Sequence, residues 1–212
     1  MTPFNDGDDG DDGDDDNETH ARIQAEAIAQ LKRGNVHGLD ALAKLHQLRA
    51  VRTAYLIVGN RPAAEDVVAD AFVSVYEHIG QYDERRPFAP WFFRIVVNGA
   101  LKQLRKSRKL VSLNSIEGEI EWMSDTAPQP DAFAALRESR AAVMAAVRAL
   151  SDQQRAVVVL RFYLDLDERE TAAALNIPLG TVKWRMFSAK QKLKKWLSDP
   201  KSKLDLKGQW ET

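Results

Sequence analysis

The chain has 212 residues, 44% hydrophobic and 29% charged, enough for one medium domain or two small ones. It has no cysteine, which excludes disulfides, thiolate zinc sites and cysteine nucleophiles; with no apolar run of about 18 residues and no signal-peptide pattern, a cytoplasmic location is expected. The net charge of −1 hides an asymmetry: nine of the 31 acidic residues lie in the first 20 positions, which hold no Lys or Arg, and the other 22 face 30 bases, so the body carries +8 and suits a nucleic-acid partner.

Residues 1–18 form an acidic low-complexity run, and self-repulsion with nothing apolar to bury predicts a disordered tail. Calcium binding is a sharper alternative, but the spaced D-x-[DN]-x-[DN]-G with a distal Glu is missing. In a third reading the tail mimics DNA and competes for the basic face of the same chain. A first amphipathic helix is expected over 19–33, with Ile23, Ala27, Ile28 and Leu31 on one side and Gly34 ending it. A second spans 39–58 on Leu42, Leu45, Leu48, Val51, Tyr55 and Leu56, closed by Gly59 and Asn60. His20, His37, His46 and His78 lack metal-ligand spacing, so no metal or other cofactor is expected.

Pro62 starts a third helix whose buried stripe is Ala64, Val67, Val68, Ala71, Phe72, Val75 and Ile79. Its other side carries Glu65, Asp66, Asp70 and Glu77 around Ala69 and Val73. That face fits two readings equally, a solvated acidic surface and a docking surface for a basic helical partner. Residues 80–90 read as a loop, and a helix begins at Trp91. Trp91, Arg94, Asn98, Lys102 and Arg105 recur on one side of it at spacings of three and four. An aromatic, an amide and cations in one line can stack on unpaired bases, bond base edges and neutralise phosphates. A helix end with snorkelling cations explains Lys106, Arg108 and Lys109 well, and Trp91 and Asn98 less well.

Residues 110–130 mix acids, Ser, Pro and Gly without a period and read as a linker. Phe133, Leu136, Ala141, Met144 and Val147 then predict a helix to Leu150, and Ser151 with Gln154 forms a capping box for the next. Val157, Val158, Leu160 and Leu164 of that helix would pack beneath a helix-turn-helix, which the chain forms over 167–197. Asp167 and Glu170 cap a short helix to Leu175, Asn176 fits the left-handed position that ends it, and Pro178 suits the start of another. In the second helix Val182, Met186, Ala189, Leu193 and Leu197 make an apolar face. Opposite lie Trp184, Phe187, Ser188 and Gln191, flanked by Lys183 and Arg185, and no acid occurs over 181–198. Such a helix suits the major groove, with Thr181, Lys183, Trp184, Arg185 and Ser188 as its recognition set; a solvated lysine-rich bundle helix is the plainer reading. Residues 199–212 lie beyond a proline break, and their Trp210 could pack back or anchor a partner.

The expected architecture is all-α: two small helical domains, 19–109 and 131–198, joined by a flexible linker, the second a helix-turn-helix. No phosphate-cradling glycine loop and no placed base with a nucleophile is present, so no enzymatic activity is expected.

With both halves read, the chain resembles the extracytoplasmic-function (ECF) group of bacterial RNA polymerase sigma factors. AEDVVADAF followed by W-x-x-R-I-x-x-N is similar to the second conserved region of that family, and LSDQQRAVVVLRFYLDLDERETAAALNIPLGTVKWR to its fourth. Gly180, Thr181, Val182, Lys183 and Arg185 match the family pattern G-I-S-x-G-T-V-K-S-R, whereas Asn176, Pro178 and Trp184 depart from it, as does Lys102 where the family often has an acid. The resemblance implies that the helix with Glu65, Asp66, Asp70, Val73 and Glu77 docks on the clamp helices of core RNA polymerase. It implies that 80–90 and the Trp91 helix capture unpaired minus-ten DNA, and that the helix-turn-helix enters the minus-thirty-five major groove of promoter DNA and touches the polymerase flap. The linker would thread near the catalytic cleft. An anti-sigma factor is a further possible partner. The alternative is a LuxR-type regulator, which shares a G-T-V-K recognition start but places a receiver or ligand-binding domain upstream.

Overall fold

A computed structural model describes residues 12–107 and 130–198, and every regular element among them is helical. In chain order these are α1 (Asp12–Lys32), α2 (Gly38–Val58), α3 (Arg61–His78), a 3-10 turn (Ile79–Gln81), α4 (Phe88–Ser107), α5 (Pro130–Arg148), α6 (Asp152–Phe162), α7 (Glu168–Leu175) and α8 (Leu179–Ser198). The expected linker up to residue 129, the first 11 residues of the acidic tail and residues 199–212 with Trp210 lie outside the described residues.

Local chemistry sets most of the boundaries. Gly34 adopts φ +81° after α1, and the next amide, of Asn35, reaches back to the Gln30 carbonyl at 3.0 Å. Gly59 does the same for α2 at φ +78°, its amide 2.8 Å from the Tyr55 carbonyl. Asn60 then caps α3 by accepting the Ala63 amide at 2.9 Å.

Two starts differ from the sequence expectation. Helix α1 begins at Asp12 rather than at Thr19, so residues 12–18 are helical where a disordered tail was expected. Helix α4 begins at Phe88 rather than Trp91, taking Pro90 into its first turn. That turn has no intrahelical use for an N–H, so proline costs nothing there. The Phe88 ring stacks on Phe92 at 5.8 Å and fixes the start.

Packing divides the chain into two compact units. One comprises residues through Leu48 together with Phe72–Tyr82, and buries Ala27, Ile28, Leu31, Leu42, Val75, Ile79 and Tyr82. A Cβ at Gly38 would lie 2.4 Å from the Ala27 carbonyl oxygen, so the first turn of α2 meets α1 at a distance only glycine permits.

The other unit comprises Arg49–Ala71 and the residues from Asp83 on. Tyr55, Ile57, Phe88, Phe92, Val96, Val97, Val157, Leu160 and Val182 are fully or almost fully buried in it. Gly99 lets α4 approach α3 closely, a Cβ there falling 3.3 Å from Val67 Cγ1. Helix α8 rests on α5, α6 and α7 through a cluster of Leu150, Val157, Val158, Val182, Met186 and Ala189, edged by Ala172, Leu175, Ile177 and Leu193. Full burial of a side chain such as Val157 is worth about 1.5–3 kcal/mol, so this cluster holds α8 in place.

Candidate nucleic-acid and polymerase interfaces

The turn between α7 and α8 is held by reciprocal caps. The Asp167 carboxylate accepts the Glu170 amide at 2.7 Å and the Glu170 carboxylate accepts the Asp167 amide at 2.7 Å. Asn176 sits at φ 51°, ψ 51°, and its amide returns to the last turn of α7. The Pro178 carbonyl then accepts the Thr181 amide at 2.9 Å and starts α8.

With Val182, Met186 and Ala189 buried, the opposite side of α8 faces outward. Trp184 and Phe187 are 65% and 64% exposed, and Lys183, Lys190, Gln191, Lys192, Lys194 and Lys195 are exposed around them. Of the expected recognition set, Thr181 and Arg185 are half-buried, and the Lys183 ammonium lies 3.7 Å from Glu168. Ser188 is turned inward: its hydroxyl accepts Gln154 Nε2 at 2.8 Å. Gln154 Oε1 accepts both the Ser151 amide at 3.2 Å and Lys192 Nζ at 3.1 Å. One side chain therefore caps α6 and grips α8. The capping box was legible in the sequence; the grip was not.

On α4, Arg94, Asn98, Lys102 and Arg105 are exposed along one line, and Trp91 is half-buried with its ring 5.7 Å from Phe88, tilted 51°. The Asn98 amide donates to the Ala174 carbonyl in the last turn of α7 at 3.3 Å. The expected single-strand line thus touches the helix-turn-helix. In the segment before α4, Arg85 grips Asp83 with two bonds of 2.9 and 3.0 Å. Hydrogen bonding to Asp83 raises the guanidinium pKa further, against a slight desolvation.

On α3, Glu65, Asp66, Ala69 and Asp70 are exposed in the part belonging to the second unit, and Val73 (55%) and Glu77 in the part belonging to the first. Arg61 Nε meets Glu65 at 2.8 Å; half-exposed on both sides, the pair is worth at most about 1 kcal/mol. Asp66 and Asp70 keep the face acidic.

Sequence reading missed a set of arginines inside the second unit. Arg155, only 8% exposed, donates to the carbonyls of Val147, Arg148, Leu150 and Ile57, the last at 2.6 Å. Arg148 donates to the Tyr55 hydroxyl at 2.7 Å and the Gly59 carbonyl at 3.2 Å, with its guanidinium over the Tyr55 ring. These carbonyls belong to the ends of α2 and α5, where no intrahelical partner exists. A cation embedded in RAVVVL was the available signal. Among the described residues no three metal-binding side chains converge, and no helix is long and apolar enough to cross a membrane.

Residues 42–110 match the family described as Sigma-70 region 2, and residues 140–193 that described as Sigma-70, region 4. The chain is 28% identical over 179 residues to the ECF RNA polymerase sigma factor SigW of Bacillus subtilis, covering 81% of this chain and 95% of that one. It is 29% identical over 178 residues to the ECF RNA polymerase sigma factor SigM of Mycobacterium tuberculosis, covering 84% and 86%. Among solved structures it is similar in fold to CnrH in complex with the cytosolic domain of CnrY, with a TM-score of 0.59 and 24% identity over 82% of this chain and 97% of that one. Nothing here supports the LuxR-type alternative: region 2 occupies the stretch where such a regulator would carry its sensory domain.

Proposed function

The chain belongs to the extracytoplasmic-function group of the sigma-70 family, and from that premise we propose how its faces divide the work of promoter recognition. As an ECF sigma factor it directs core RNA polymerase to specific promoters. The observation that carries this is the pair of family matches, region 2 and then region 4, in one chain.

The acidic face of α3, with Glu65, Asp66, Asp70, Val73 and Glu77, docks on a basic helical surface of the polymerase. Carboxylates around a small apolar centre suit such a partner, because the charges steer approach and the apolar atoms gain from burial. Helix α8 enters the upstream duplex element, where its lysines meet phosphates and its outward side chains meet base edges. The line Trp91, Arg94, Asn98, Lys102 and Arg105 holds the unpaired minus-ten strand by stacking, hydrogen bonding and charge. Unstacking a base costs a few kcal/mol, an order-of-magnitude figure, and captured bases return part of it.

One N–H of the Asn98 amide is given to α7, and its second N–H and its carbonyl oxygen remain for a base. A protein that meets polymerase and chromosomal DNA works in the cytoplasm, and it does so as a binding subunit rather than an enzyme. RpoE of Bartonella quintana, similar in fold, has been seen with the anti-sigma factor NepR, and an anti-sigma partner is proposed here too.

The test is reconstituted transcription over a genomic promoter library with core polymerase and this chain. Transcripts sharing upstream elements are expected, and Asp66→Arg should cut them by on the order of tenfold or more by setting like charges against each other. Specific duplex binding without any transcript would overturn the reading.

A further inference from the structure

Trp184 and Phe187 are large apolar side chains left in water on a helix whose other face is well packed. They lie three residues apart, opposite Val182, Met186 and Ala189, so both rings point away from the body of the protein. Their surroundings are cationic. Helix α8 carries Lys183, Arg185, Lys190, Lys192, Lys194 and Lys195, and no acid from end to end. A partner for this face must combine strong negative charge with apolar groups small enough to meet two rings one turn apart.

Gly180 makes the same point from the backbone. It lies one turn before Trp184 on the same face, is exposed, and does not adopt a left-handed φ. No heavy atom lies within 4 Å of where its Cβ would be. Glycine in a helix interior costs up to about 1 kcal/mol relative to alanine, and among the described residues nothing crowds this position in the first turn of α8. A body outside the protein that comes against the backbone asks for glycine, as a phosphate at a helix N-terminus would.

In the DNA major groove the one apolar group on the base edges is the thymine 5-methyl. Residues three apart on a helix are offset by about 4.5 Å along its axis, close to the roughly 3.4 Å step between base pairs. We propose that Trp184 and Phe187 read the 5-methyl groups of two thymines on adjacent base pairs of the upstream promoter element, while Gly180 lets the DNA backbone come close enough for the rings to reach them. This rests on the reading of α8 as the major-groove helix. It adds a chemical specificity that the family pattern does not supply, since Trp184 stands where that pattern has serine.

The experiment uses holoenzyme assembled from core polymerase and the full chain, on a promoter recovered from the transcript library. Each thymine of the upstream element is replaced in turn by deoxyuridine, which removes only the methyl. Binding should weaken about fourfold at two adjacent base pairs, the yield of burying one carbon group, and stay unchanged at the rest. Trp184→Ala should abolish the discrimination at one of the two and Phe187→Ala at the other. Lys183→Ala should lower affinity while leaving the thymine preference intact. Equal binding of every deoxyuridine template by the wild-type holoenzyme overturns the proposal, as does a preference that survives both ring deletions, and either result leaves the sigma-factor reading standing. Holoenzyme that binds no upstream duplex at all overturns the placement of α8 itself and this proposal with it.

Discussion

On α8 the face proposed to meet DNA is uncommitted across its centre: Trp184, Phe187 and Gln191 face outward, and the bonds that Ser188 and Lys192 make lie to one side of it. On α4 one member of the corresponding line is engaged: Asn98 gives one N–H to the end of α7, while Arg94, Lys102 and Arg105 are exposed. The face proposed to read duplex is thus unengaged at its centre, and the face proposed to hold the single strand has one bond to a neighbouring helix. The arginines divide likewise: Arg94 and Arg105 are exposed to a partner, whereas Arg148 and Arg155 are spent on groups of the chain itself.

The largest effect should come from breaking that internal hold. Arg155→Ala removes a donor from four carbonyls at once, three of them in buried bonds, and the expected loss is about 3 kcal/mol or more of unfolding free energy, read as a lower denaturant midpoint. A loss below about 1 kcal/mol would mean that water takes the guanidinium's place. Next comes Asn98→Ala, which should leave holoenzyme binding to the upstream duplex unchanged and reduce strand opening about fivefold, one hydrogen bond's worth, measured by permanganate reactivity of minus-ten thymines. Unaltered opening would assign Asn98 to α7 alone. The smallest effect belongs to α8. Lys183→Ala should reduce the slope of log affinity against log salt by about one, and by less to the extent that Glu168 already neutralises the ammonium.

What could be read from the sequence was what depends on neighbours in sequence. The boxes at Ser151–Gln154 and Asp167–Glu170 and the left-handed Asn176 each involve residues within a turn of one another, and all three are present. Of the stripe Val182, Met186, Ala189, Leu193 and Leu197 read from helical spacing, the first three are buried, Leu193 is half-buried, and Leu197 near the end of α8 is exposed. The early start of α4 was hidden because Pro90 signals a loop in isolation, and only the Phe88 ring seated on Phe92 shows otherwise. The pairs Arg155–Ile57 and Asn98–Ala174 join residues separated by 98 and 76 positions, and no local pattern encodes such a meeting. Ser188 shows the same limit within one helix: spacing places it beside the outward face, and Gln154 claims its hydroxyl.

Gln154 has a consequence of its own. Its side chain is bonded at once to the start of α6, to Ser188 and to Lys192, so the lysine that leaves for a phosphate vacates a bond 3.1 Å long at a buried amide. Occupancy of the outer surface is thereby registered indoors. The side-chain nitrogen resonance of Gln154 is a natural gauge of whether the groove is filled, legible without placing any label on the surface that does the reading.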